Sequence, residues 1–218
     1  LRTVAVGESH IDRTISDLER SSNPTVGLSA HPGQTDVRIV AKASTKAEAK
    51  ALVAEFEATI RERLGAAIYG TGDITLEAAI ANILQQRGAT LAVAETLTGG
   101  DLTRRLSAHP DAFVGGAVAA DGKALARLLS LEEADYAGES GAVALAEGVR
   151  SAWQASYGLA TGSDESDRVW VAIGSGEGVD TRRLRFEGRG HRARVWSTTL
   201  SLEFLRRTLL GLADGWAD

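Results

Sequence analysis

The sequence predicts an α/β protein in two parts: a small two-layer βαββα unit, then an α/β/α sandwich on a mixed sheet. Three observations carry this. Runs with apolar residues at helical spacing alternate with short β-branched runs along most of the 218 residues. The cluster Gly70-Thr71-Gly72-Asp73 punctuates the chain between two such series. Late in the chain, two alternating runs flank a glycine-rich loop, which adds a hairpin to strands otherwise separated by helices.

The elements follow in order. Residues 3–7 form a short strand, and residues 8–21 a helix with Ile11, Ile15 and Leu18 on one face, ended by Asn23-Pro24. Residues 25–30 and 36–43 alternate apolar with polar around His31-Pro32-Gly33-Gln34, a hairpin. Residues 44–64 form a long helix opened by Ser44 or Thr45, with Glu48 as partner in a capping box and Leu52, Phe56 and Ile60 facing inward. Residues 1–70 are thus one unit, 71–74 a linker and 75–218 the second unit. There, a helix beginning at Thr75 carries Leu76, Ile80, Ile83 and Leu84. The strand ending at Glu95 passes through a polar turn into a helix from Asp101. A strand over 113–120, helices over 123–130 and 139–156, and a short buried strand over 157–161 come next. Strands over 168–173 and 179–186 form the late hairpin, and an amphipathic helix over 192–210 closes the unit.

Composition excludes several functions. There is no cysteine, so disulfides, thiol catalysis and zinc–thiolate sites are out. The net charge is −5 and no Lys/Arg cluster is interleaved with aromatics, so no nucleic-acid partner is expected. The first unit also lacks a Gly-x-x-Gly clamp for RNA. No apolar run approaches about 20 residues, so neither a membrane span nor a signal peptide is expected. The four histidines have no metal-ligand spacing, and Asp164, Glu165 and Asp167 read as a solvated turn, so no metal or other cofactor is expected. Methionine is absent and the first residue is Leu1, which reads as a piece of a longer protein or a processed chain.

The densest chemical signal is Thr90-Leu91-Ala92-Val93-Ala94-Glu95-Thr96-Leu97-Thr98-Gly99-Gly100. A buried strand ends in a carboxylate, hydroxyls and a glycine pair before a helix. In open α/β sheets that corner lies at the C-terminal strand edge, where ligands bind. Glycines admit a ligand to the backbone, and the N–H groups that open the helix favour an anion. The alternative is that these residues are only turn and cap chemistry, with Thr96 or Thr98 capping the helix.

This stretch resembles the Ala-Glu-Ser-Cys-Thr-Gly-Gly signature of the CinA C-terminal domain, the nicotinamide-nucleotide amidase family. Further matches are Gly115-Gly116, Ala126-Arg127-Leu128-Leu129, Ala146-Glu147-Gly148, Thr161-Gly162, Val169-Trp170-Val171-Ala172 and Leu205-Arg206-Arg207. Residues 1–70 resemble the middle domain of full-length CinA proteins through Gly7-Glu8-Ser9, Ser22-Asn23-Pro24-Thr25-Val26 and Ile68-Tyr69-Gly70. Full-length members also carry an N-terminal domain similar to molybdopterin-binding proteins, which this stretch does not include. The resemblance implies a cytoplasmic homo-oligomer that hydrolyses nicotinamide mononucleotide to the acid and ammonia, without metal. It implies Thr96 as the hydroxyl nucleophile. It places Glu95, Thr98, Gly99, Gly100, Gly115, Gly116, Thr161, Gly162 and Arg194 around the nucleotide, although Gly115-Gly116 also suit close helix packing.

The sequence departs from the family where protons are handled. The family's serine is Thr96, whose extra methyl stiffens χ1. Across Gly-Gly-Val-Val-Ala-Tyr-Ser-Asn-Glu-Ala-Lys, the tyrosine becomes Ala120 and the lysine Leu125. Lys123 lies two positions earlier, and residues two apart do not share a helix face. Of two family arginines on the last helix, the first aligns with Gly190 and the second is Arg194. A hydroxyl without a base is a poor nucleophile. The sequence therefore leaves two readings: an amidase with an unidentified base, or a catalytically silent module kept for ligand binding, assembly or regulation.

Overall fold

The computed structural model describes residues 1–132, 134, 136–163, 168–187 and 190–212. The chain divides into two compact units, Leu1–Thr75 and Leu76–Asp218.

In the first unit, β1 (Arg2–Val4), α1 (Glu8–Glu19), β2 (Thr25–His31), β3 (Gln34–Val40), α2 (Lys46–Leu64) and β4 (Ile68–Gly70) follow one another. The sheet order is β2-β3-β1-β4, antiparallel throughout. Its core gathers Ile11 and Ile15 of α1, Val37 of β3, and Ile60 and Leu64 of α2. Leu52 and Phe56, expected inside, are only half-buried. The hairpin is tighter than the pattern implied: His31 pairs with Gln34, leaving Pro32 and Gly33 as the turn. The capping box is present, with the Thr45 hydroxyl accepting from the Glu48 N–H and the Glu48 carboxylate from the Thr45 N–H. The expected βαββα unit thus gains a fourth strand. Strand β4 has three residues, too few to show alternation, and exists because its backbone pairs with β1.

The second unit runs α3 (Leu76–Gln86), β5 (Leu91–Glu95), α4 (Asp101–Leu106), β6 (Phe113–Val118), α5 (Gly122–Leu128), α6 (Gly138–Ala152), β7 (Tyr157–Ser163), β8 (Arg168–Gly174), β9 (Val179–Glu187) and α7 (His191–Leu210). The sheet order is β6-β5-β7-β8-β9. Strand β5 is parallel to β6 and β7, whereas β7-β8-β9 is antiparallel, giving the mixed sheet. Every residue of β5 is buried, as expected of a central parallel strand. Neighbouring residues of a strand face opposite sides, and β6 shows both. A Cβ on Gly115 would meet Trp153, just beyond α6, at 1.9 Å. A Cβ on Gly116 would meet the Thr103 hydroxyl of α4 at 2.7 Å. Helices therefore cover both faces. One core combines Ala92 and Ala94 of β5 with Leu125 of α5 and Leu145 and Val149 of α6.

Helix α7 differs from its amphipathic reading. From Ser197 to Leu209 all residues but Thr208 are buried. The polar stripe survives burial because Glu203 accepts from Arg206 Nε at 2.7 Å and from Arg207 Nε at 2.7 Å. Burial still pushes the Glu203 carboxyl above its ordinary range, against the pull of both guanidiniums. Gly174 to Gly178 is a hairpin loop, closed by the Ser175 N–H donating to Gly178 O at 2.8 Å. The acidic turn of Asp164, Glu165 and Asp167 lies outside the described residues. No helix among the described residues is long and apolar enough to cross a membrane.

Candidate functional site

Parallel pairing aligns Glu95 with Val118 of β6 and with Thr161 of β7. The residues that follow each therefore emerge together at the C-terminal edge of the sheet. A cavity of about 440 Å³ opens there, lined by Thr96, Leu97, Ala120, Asp121, Gly122, Lys123, Tyr136, Ala137, Gly162, Ser163 and Arg194.

Beneath it lies a closed polar network centred on Glu95, which is fully buried. Its Oε2 accepts from the Thr98 hydroxyl at 2.7 Å and from the N–H groups of Gly100 at 3.1 Å and Leu102 at 3.0 Å. Its Oε1 accepts from the Thr103 N–H at 2.7 Å and the Thr103 hydroxyl at 2.6 Å. Five donors on one carboxylate satisfy a charge that burial would otherwise forbid. The Thr98 proton goes to Glu95, so Thr161 Oγ1 is the donor in its 3.2 Å contact with Thr98 Oγ1. The N–H groups opening α4 are thus occupied from inside. They do not await an external anion, and Glu95 rather than Thr96 or Thr98 caps the helix. Gly99 (φ +62°) and Gly100 (φ +92°) supply the left-handed backbone that folds this turn over the carboxylate.

The expected site residues separate into four groups. Thr96, Gly162 and Arg194 line the cavity. Glu95, Thr98 and Thr161 are buried in the network below it. Gly99 and Gly100 shape the turn, and a Cβ on Gly99 would stand 3.7 Å from the Arg194 guanidinium, which lies against that backbone. Gly115 and Gly116 pack against Trp153 and Thr103 and are not among the cavity-lining residues.

Thr96 Oγ1 donates to the Thr161 carbonyl at 3.1 Å, an acceptor that cannot take the proton away. Leu125, aligned with the family's lysine, is fully buried in the core and does not line the cavity. Ala120, aligned with the tyrosine, is an exposed wall residue.

Lys123 and Tyr136 also line the cavity; the sequence reading argued against Lys123 by its two-residue offset and did not anticipate Tyr136. Lys123 is exposed in the first turn of α5, whose N-cap Asp121 accepts the Ala124 N–H at 2.8 Å. Tyr136 enters from the segment before α6. Its backbone passes so close to two glycines that a Cβ on Gly122 would lie 2.4 Å from Tyr136 O, and one on Gly141 would lie 2.2 Å from Tyr136 C. Those glycines were the available signal, but nothing in the sequence states what approaches them. The Tyr136 hydroxyl donates to Glu132 O at 2.6 Å, so it is committed away from Thr96. Among the described residues no group of three or more His, Asp or Glu side chains is arranged to hold a metal ion.

A model described as the CinA C-terminal domain matches residues 73–209, and one described as the damage-inducible protein CinA KH domain matches residues 1–70. The chain belongs to the CinA family. A CinA-like protein of Frankia casuarinae is 38% identical, covering 98% of this chain and 54% of the relative. A CinA-like protein of Dictyoglomus thermophilum is 33% identical, over 97% and 56% respectively. The chain spans about half the length of the curated relatives it matches. A CinA superfamily crystal structure from Klebsiella pneumoniae overlays with a TM-score of 0.57 at 21% identity, covering 62% of this chain and 96% of that one, which shows a shared fold. KH domains generally clamp RNA through a Gly-x-x-Gly loop. The first CinA unit has glycines at 7, 27, 33, 65, 70 and 72, no two of them three positions apart.

Proposed function

We propose that the second unit is a nicotinamide-nucleotide amidase-type site in which the cavity still binds the nucleotide but hydrolysis of its carboxamide is strongly reduced. The reaction is nicotinamide mononucleotide plus water giving nicotinate mononucleotide plus ammonia. One observation carries this reading: the Thr96 hydroxyl shares a cavity with the cations Lys123 and Arg194, while the position aligned with the family's lysine is a core leucine. The Arg194 guanidinium suits a phosphate, and Thr96 suits attack on an amide carbon. A hydroxyl bonded to a backbone carbonyl, with a core leucine where the family has its lysine, gives up its proton slowly, so attack is slow. The setting is the cytoplasm, with the chain self-associated.

The test is ammonia release from nicotinamide mononucleotide, with calorimetry for binding. The expected result is measurable binding with turnover far below that of an active relative, abolished in Thr96→Val. Absence of binding overturns the proposal, as does turnover equal to an active relative's. A silent assembly or regulatory module is the second reading, favoured by the Thr96–Thr161 hydrogen bond alone. Binding with no ammonia even after long incubation would select it. Sedimentation of the whole chain tests self-association, and a monomer at micromolar concentration would refute that part.

A further inference from the structure

Lys123 belongs to two cavities at once. It lines the Thr96 cavity, and it also lines a second of about 410 Å³ with Ala126, Arg127, Leu131, Glu132, Ala134 and Tyr136. Lys123 is thus shared by both linings, and the residue is exposed. We propose that Lys123 is the proton acceptor for Thr96, replacing from two positions upstream the amine that Leu125 does not provide. This rests on the amidase-type reading.

The case is made by elimination among the cavity-lining residues that are described. Arg194 stays protonated under all ordinary conditions and is no base. The Tyr136 hydroxyl is spent on Glu132 O, and Ser163 is itself an alcohol. Asp121 accepts the Ala124 N–H as a helix cap. Lys123 is the remaining nitrogen base, and no hydrogen bond or ion pair among the described residues ties it elsewhere. The two-residue offset that argues against it on an ideal helix is relieved by position. Lys123 is the second residue of α5, and Asp121, Gly122 and Lys123 all line the cavity, so its long stem has no preceding helical turn to cross in reaching Thr96. Leu125, one half-turn on, faces the core.

The step balances. Neutral Lys123 Nζ takes the proton of Thr96 Oγ1 as that oxygen bonds to the carboxamide carbon. The adduct collapses with cleavage of the C–N bond, and the lysine ammonium protonates the leaving nitrogen, which departs as ammonia. Water then attacks the Thr96 ester, gives a proton to Nζ, and the proton returns to Oγ1 with release of the acid.

Among the described residues, the charged and titratable groups that share a cavity with Lys123 are Asp121 in its own cap, Arg194 of α7, Tyr136 before α6, and Arg127 and Glu132 in the second cavity. A lysine accepts a proton only when neutral, so turnover should climb with pH through the alkaline range. A carboxylate base such as Asp121 would give turnover already level by about pH 6. The experiment measures ammonia release from nicotinamide mononucleotide against pH for the whole chain, for Lys123→Met, Lys123→Arg and Asp121→Asn, with calorimetry on each. The expected result is an alkaline-rising profile, lost by about 100-fold or more in both Lys123 variants. Lys123→Arg keeps the positive charge and should bind the nucleotide within a few-fold of the parent. Lys123→Cys offers rescue: the chain has no other thiol, so alkylation with bromoethylamine installs a single amine and should restore turnover. Turnover retained in Lys123→Arg, or a profile flat above pH 6, overturns the proposal. Binding by the parent with no ammonia overturns it while leaving the nucleotide site standing. Failure of the parent to bind overturns both.

Discussion

Two neighbouring corners of the second unit are built from the same plan and differ in what they hold. Strands β5 and β6 run parallel, and each passes through a short turn into a short helix at the same sheet edge. At the first corner a buried carboxylate gathers five donors, two threonines interlock, and the helix amides are all accounted for. At the second corner Ala120, Asp121 and Lys123 are exposed, and a single side-chain cap holds the helix. The first corner is saturated and so serves as scaffold, presenting Thr96 in a fixed place. The second retains side chains able to meet a ligand. The richest polar motif in the sequence is therefore mostly architecture, and the plainer one carries the available chemistry.

Removing the saturated centre should cost most. Glu95→Ala strands two threonine hydroxyls and three N–H groups, and we expect a loss of about 3–5 kcal/mol in urea unfolding. A loss under about 1 kcal/mol would mean that water satisfies these donors and the corner is not scaffold. Leu125→Lys comes next. It places an amine among Ala92, Ala94 and Leu145, and we expect a loss of about 3 kcal/mol with no gain in ammonia release. Restored turnover at parental stability would show that position 125 reaches the cavity after all. Gly115→Ala drives a methyl into Trp153 on the covered face of β6 and should cost about 1–3 kcal/mol while leaving nucleotide affinity unchanged. Weakened affinity without lost stability would place Gly115 at the ligand. Asp121→Ala removes only a helix cap, and we expect about 1 kcal/mol. A larger loss would make the second corner as structural as the first.

The fold was legible wherever a pattern repeats over enough residues. The helix spacing of Leu76, Ile80 and Leu84, the capping box at Thr45 and the buried run of β5 each announce themselves. Strand β4 does not, because its three residues have no period. Helix α7 misleads for a different reason. Glu203 pairs with arginines three and four positions on, so a polar stripe that reads as a solvent face is neutralised and buried. At the site, Thr96, Gly162 and Arg194 were readable because a motif names them. Glu95 was readable as important but not as scaffold, since its role depends on which amides curl back to it. Tyr136 was not readable, because its place depends on the backbone slipping between Gly122 and Gly141, a contact that spacing along the chain does not encode.

The most direct test of the contrast between the two corners is a crystal structure of the chain with nicotinamide mononucleotide. The account predicts the carboxamide carbon beside Thr96 Oγ1, the phosphate on the Arg194 guanidinium, and the Glu95 network unchanged. A nucleotide phosphate seated on the amides of Gly100, Leu102 and Thr103, with the Glu95 carboxylate displaced, would contradict it.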